Sequence, residues 1–134
     1  NRLKEISARE LSQSQALFDG HETRLTALGA EYERTGTECE RLREEGGDGS
    51  AIGLYYDYLA GLSSRIEAQA EALKAAEADL EKKRERLLVA KKETMAVELL
   101  KERSRAAYDS AVNRDEQKAS DEVASAVHKR GAQG

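Results

Sequence analysis

The sequence predicts an all-α protein: two long helices folded into an antiparallel coiled-coil hairpin, with the second helix overhanging the first. Three observations carry that expectation. Charged residues make up 36% of the chain and aromatics 4%, the balance of long helices rather than of an ordinary globule. There is no Pro, so no residue lacks a backbone donor or clashes with the preceding turn. Apolar residues recur three and four apart on both sides of one glycine-rich break, the spacing of a coiled-coil seam. High charge content also marks chains that cannot bury enough apolar surface to fold. Here the signs are mixed and the formal net charge is −4, so self-repulsion is weak and ordered helix is favoured.

The first helix is expected over about residues 2–45. Phe18, His21, Leu25, Leu28, Tyr32, Thr35, Cys39 and Leu42 alternate three and four apart, and Leu11 fits the same register,. Leu3 and Ile6 fall one or two positions off it, so the stripe drifts near the start. Cys39 sits on the seam, where a small buried core residue accounts for it better than a reactive thiol. A lone cysteine forms no internal disulfide, which suits a reducing cytoplasm. His21 also lies on the seam and is expected to pack there.

The break is EEGGDGSAIG, residues 44–53. Four glycines in ten residues impose a large entropic cost on a helix, so the chain is expected to turn over residues 46–50. Asp48 or Ser50 can cap the helix that follows by accepting a hydrogen bond from its free amides. The stretch superficially resembles a phosphate-cradling loop, yet it lacks a preceding strand, a following Lys-Ser/Thr pair and the right glycine spacing. A plain turn accounts for it.

The second helix is expected over about residues 51–130. Leu59, Ile66, Leu73, Leu80 and Leu87 recur every seven residues. Tyr55, Leu62, Ala76, Ala90 and Val97 occupy the second seam position, which Gln69 and Lys83 interrupt; such polar interruptions weaken a seam but can set its register. The two helices would be roughly 65 and 120 Å long at 1.5 Å per residue. A short connection makes them antiparallel neighbours. With the turn near Asp48, residue k should face about residue 96 minus k. Leu42 then meets Tyr55, Cys39 lies by Leu59, Leu25 by Leu73 and Phe18 by Leu80. Helix 1 runs out opposite about residue 94, leaving residues 95–134 without a partner in the chain. That overhang holds seven Lys/Arg and seven Asp/Glu. Its apolar residues, among them Leu99, Leu100, Tyr108, Val112, Val123 and Val127, are sparse. A helix this long with no tertiary partner must fray, pair with residues ahead of Asn1, or dock on another protein. The whole, residues 1–134, reads as a single helical-hairpin domain.

Several chemistries are argued against. Metal spacing is absent around His21 and Cys39, and His128 lies in the overhang,. The basic run Lys82–Arg86, with Lys91 and Lys92, is interleaved with Glu81, Glu85 and Glu93 in an acidic chain. A solvated face with intrahelical pairs is favoured over a phosphate-binding surface. Two His and one Cys on a rod without a cleft give no nucleophile–base pair, so an enzyme is not expected, and no cofactor is. No run of about 18 apolar residues is present to span a membrane. The tyrosines leave two readings open. Tyr32, Tyr55, Tyr56 and Tyr58 should gather at the loop end, either as rim packing with wet hydroxyls or as an interface patch.

LYYDYLAGLSSRIEAQ (54–69) and VELLKERSRAAYDSAVNRDEQKASDE (97–122) resemble the flagellar export protein FliJ family. The correspondence runs through Tyr55, Tyr58, Leu59, Leu62 and Ile66, then Leu100, Lys101, Glu102 and Arg103, then Glu116, Gln117, Lys118, Asp121 and Glu122. Ala119-Ser120 departs from the family's usual spacer before Asp121. The first helix matches only in pattern, and the family's opening residues are expected ahead of Asn1, which stands in place of Met. The resemblance implies a soluble, cytoplasmic component of the flagellar type III export apparatus, peripheral to the inner-membrane flagellar base. Its coiled coil is similar to the stalk of the rotary ATPase gamma subunit. The implied partners are the hexameric flagellar export ATPase, the cytoplasmic domain of the export gate membrane protein and the export chaperones, with no nucleic acid and no membrane insertion. On that basis Leu100, Lys101, Arg103, Tyr108, Glu116, Gln117, Lys118, Asp121 and Glu122 are candidates for ATPase binding. Tyr32, Tyr55, Tyr58 and Leu62 are candidates for the export gate. The rivals are the equivalent stalk of a virulence type III secretion system and a generic coiled-coil tether.

Overall fold

A computed structural model of the chain describes residues 2–133; Asn1, on which the expectation of missing leading residues rests, lies outside them. Two helices make up the fold, α1 (Arg2–Glu44) and α2 (Gly49–Gln133), packed against each other with no strand among the described residues. The all-α hairpin expected from the seam is what forms. The chain divides into two compact units, Asn1–Ala90 and Lys91–Gly134.

The turn between the helices is built by two glycines. Gly46 adopts a φ of 71°, the left-handed conformation that a Cβ disfavours. The Gly46 amide donates to the Arg43 carbonyl at 3.2 Å and the Gly47 amide to the Leu42 carbonyl at 2.8 Å. This pair of bonds is the Schellman termination, which satisfies carbonyls that a helix end would leave free. A Cβ on Gly47 would stand 3.0 Å from the Leu42 carbonyl oxygen, so that position also favours glycine. Asp48 then starts α2. Its Oδ1 accepts from the Ser50 amide at 3.2 Å and its carbonyl accepts from the Ile52 amide at 3.1 Å. Of the two capping candidates, Asp48 is the one that caps.

In the first unit both helices bury one continuous stripe. Leu62, Leu80, Ala90 and Cys39 are its buried apolar residues. Burying a leucine side chain such as Leu62 stabilises by about 2 kcal/mol relative to leaving it in water. Toward its start, α1 does not drift off register. Leu3 and Ile6 are exposed, while Ser7 and Ser14 are buried, and these two serines extend the seven-residue spacing of His21, Leu28, Thr35 and Leu42.

Polar groups on the seam find each other across it. Ser14 Oγ donates to Asp79 Oδ2 at 2.5 Å. Gln69 Nε2 lies 2.7 Å from His21 Nδ1 and 3.4 Å from the His21 carbonyl. Lys83 Nζ and Arg86 Nη1 both approach Glu10 Oε2, at 4.0 and 3.8 Å. No buried side-chain polar atom among the described residues lacks a partner. These pairings place residue k across from about residue 93 minus k, a register set by equal rise on both arms. The expected register is corrected by less than half a turn per helix, because the turn is centred on Gly46 and Gly47 rather than on Asp48. On this register the start of α1 falls at about the end of the first unit, Ala90,.

Candidate functional site

At the loop end of the first unit the tyrosines separate. Tyr55 is half-buried in the seam. Tyr58 stands on its flank, 44% exposed, and its hydroxyl donates to the Glu31 carboxylate. That hydrogen bond is the main cause that raises the Tyr58 pKa; desolvation and the Glu31 charge add to it, and Arg65 opposes. Thr35, Leu54, Tyr55 and Tyr58 line a shallow depression there. Tyr56 is also exposed, but two residues along a helix rotate it by about 160° from Tyr58. Tyr32, 38% exposed, lines a separate depression made wholly of α1 with Glu33, Gly36, Thr37 and Glu40. The four tyrosines therefore share an end but not a patch, because a helix turns each neighbour to a new face.

Two residues need correcting at this end. Leu62, a candidate for the export gate, is 1% exposed; it is buried in the seam and offers no surface to a partner. Leu54, which the seam reading passes over, is exposed and lines the depression with Tyr58. Its signal in the sequence was its position, four residues before Tyr58 on the same helix face.

In the second unit α2 continues alone. Leu100, Lys101, Arg103, Tyr108, Glu116, Gln117, Lys118, Asp121 and Glu122 are all exposed. Gln117 Nε2 donates to Asp121 Oδ1 at 3.0 Å along the helix. Leu100, Lys101, Tyr108, Lys118 and Glu122 fall within an arc of about 100° at helical periodicity. Arg103, Gln117 and Asp121 lie on the far side, so the candidates do not form one face. Val97, placed on the seam by its spacing, is exposed. Met95, Leu99, Val123 and Val127 are likewise exposed.

The basic run makes one of the expected pairs along its own helix and two contacts across to α1. Arg84 Nη1 contacts Glu81 at 3.4 Å along the helix, while Lys83 and Arg86 turn to Glu10. Exposed pairs of this kind contribute about 0.3–0.5 kcal/mol each. Cys39 is free and buried. Among the described residues no group of three or more His, Cys, Asp or Glu is placed to hold a metal ion, and no helix is long and apolar enough to cross a membrane.

What the chain offers is two kinds of exposed surface: a tyrosine–leucine depression at the loop end and a mixed-charge helix with bare apolar side chains. The sequence model of the family described as flagellar FliJ protein matches residues 1–133. The chain belongs to that family. Membership makes it a flagellar protein associated with type III export, from a family of structural and export components. Neither the curated proteins nor the solved structures compared with the chain gave a match.

Proposed function

We propose that this FliJ-family chain is the central stalk of the hexameric flagellar export ATPase ring. It works in the cytoplasm at the inner-membrane flagellar base and links the ring to the export gate and to substrate chaperones. The observation that supports this reading is the exposure of α2 beyond the first unit. From Met95 to Ala132 every residue but Val112 is exposed, including Leu99, Leu100, Tyr108, Val123 and Val127. A lone helix with bare apolar side chains gains little from its own fold, so a partner that covers it contributes the missing burial. Mixed charge lets such a helix touch polar ring loops without presenting one large apolar patch. The stalk role itself comes by analogy with rotary ATPases. The residues that carry the ring contact are Leu100, Lys101, Arg103, Tyr108, Glu116, Gln117, Lys118, Asp121 and Glu122. At the other end Tyr55 and Tyr58 make the gate contact, with Leu54 on the rim and Tyr32 on a neighbouring flank.

The test is ATPase activation by the purified chain. Replacing Arg103, Glu116 and Lys118 together by Ala removes three rim charges at about 0.5 kcal/mol each, a loss of about tenfold in the ring affinity. Unchanged activation by the triple variant would sink the ring assignment. Replacing Tyr55 and Tyr58 should weaken gate binding and leave ATPase activation intact; loss of both would indicate a misfolded hairpin.

A further inference from the structure

We propose that the hairpin docks a basic helical segment of a protein partner along one flank, in a trough between α1 and α2 centred on Gly29 and Ser63. Heptad spacing puts Glu22, Gly29 and Gly36 of α1 on the same side of the seam as Tyr56, Ser63 and Ala70 of α2. The register sets Gly36 across from about Tyr56, and Gly29 across from about Ser63. Glycine destabilises a helix interior relative to alanine. A Cβ at Gly29 or Gly36 would meet nothing within 4 Å, so the hairpin's own packing requires neither glycine. What they do is keep the trough free of side chains, which lets another helix approach closely. Tyr32, Glu33, Gly36, Thr37 and Glu40 line a shallow depression on this flank. Tyr32 and Tyr56 are exposed there, and exposed aromatics are favoured interface anchors. Leu59 and Ile66, on the seam beside the trough, are only half-buried.

Charge chooses the occupant. Over residues 22–42 of α1 and 53–70 of α2 the bases are Arg24, Arg34, Arg41 and Arg65, and heptad spacing puts all four on the opposite flank. That opposite flank, which holds Leu54 and Tyr58, mixes them with Glu31 and Glu38. The trough's flank carries Glu22, Glu33, Glu40 and Glu67, all exposed, and no base over the same stretch. Arg43 lies just past it and is tied to Glu40 at 3.2 Å; Lys74 lies past the other end. A helix with lysine or arginine beside a small or apolar stripe complements this flank in both shape and sign.

Apart from Tyr32, no residue of this flank belongs to the ring or gate contacts proposed above, and the test needs only this chain. A phage-displayed library of helical peptides is panned on the full chain and again on Gly29→Leu/Gly36→Leu, in which the trough is filled. Leucine favours a helix over glycine, so a raised thermal midpoint shows that the filled variant folds. Peptides that bind the parent and not the filled variant should carry an excess of Lys and Arg. Their affinity should fall several-fold at high salt, as screening of exposed charges requires. Glu33→Gln with Glu67→Gln should weaken them several-fold. Glu38→Gln with Glu45→Gln, an equal loss of charge off the trough, should leave them bound. The proposal is overturned if no peptide tells the parent from the filled variant, or if those that do carry no basic excess. Equal weakening by the two glutamine pairs would overturn it as well.

Discussion

Tyr58 shows how far one side chain's behaviour follows from its neighbour. The neutral phenol donates to the Glu31 carboxylate, and that bond raises its pKa above the ordinary 10.0. A raised pKa means the contact's contribution to stability is complete below pH 10 and is lost as pH rises through the folded-state value. Spectrophotometric titration should therefore find Tyr58 ionising above its ordinary 10.0. Glu31→Gln should bring that ionisation down, and an unchanged curve would remove the bond from solution. Leu62 makes the complementary point. Its heptad position already assigned it to the seam, and only the resemblance made it a gate contact; burial decides for the seam. Leu62→Ala should cost about 2–5 kcal/mol in chemical denaturation, the range for truncating a buried leucine. Ser7 and Ser14 were not legible as seam residues, because a serine carries no hydrophobic signal. What keeps Ser14 inside is a partner 65 positions away, Asp79, and no local pattern reveals such a bond.

At the scale of elements, the glycine cluster located the turn but not its centre. Asp48 looked central because it is the polar residue among glycines, yet it caps the helix that follows. The reversal falls on Gly46 and Gly47, where a positive φ and a close carbonyl demand the absence of Cβ. That difference shifted the whole expected register by less than half a turn per helix. Gly46→Ala should lower stability by about 1–2 kcal/mol, the strain of a left-handed conformation with a Cβ. Gly29 is a contrasting case: it lies within α1, and a Cβ there would meet nothing within 4 Å. Gly29→Ala should raise stability by about 0.5–1 kcal/mol through helix propensity alone, read as an upward shift in thermal midpoint. The seam interruptions Gln69 and Lys83 were legible as interruptions. Their partners, His21 and Glu10, emerge only once the register is known, since each pairing depends on an alignment across the whole hairpin.

Across the whole molecule, the arithmetic of equal rise already separated a paired hairpin from an unpaired stretch of α2, and the division after Ala90 falls where α1 begins across the turn. The two units differ in what holds them. The first has buried apolar residues on facing helices, whereas the second relies on helix propensity and intrahelical bonds such as Gln117 to Asp121. Dilute free chain should therefore exchange backbone amides much faster over residues 95–132 than around Leu62 and Leu80, since helices without tertiary burial open at low free-energy cost. The family was legible from short motifs in order, but the contact residues were not. Exposure on a lone helix distinguishes a surface from a core and does not rank one exposed side chain above another.

The central claim, that this exposed stretch of α2 is the ring contact, is tested most directly by hydrogen exchange on the chain co-assembled with the flagellar export ATPase. The account predicts strong new protection over residues 98–125 and unchanged exchange around Leu54 and Tyr58. Protection confined to residues 54–58, with 98–125 still exchanging as in the free chain, would contradict it.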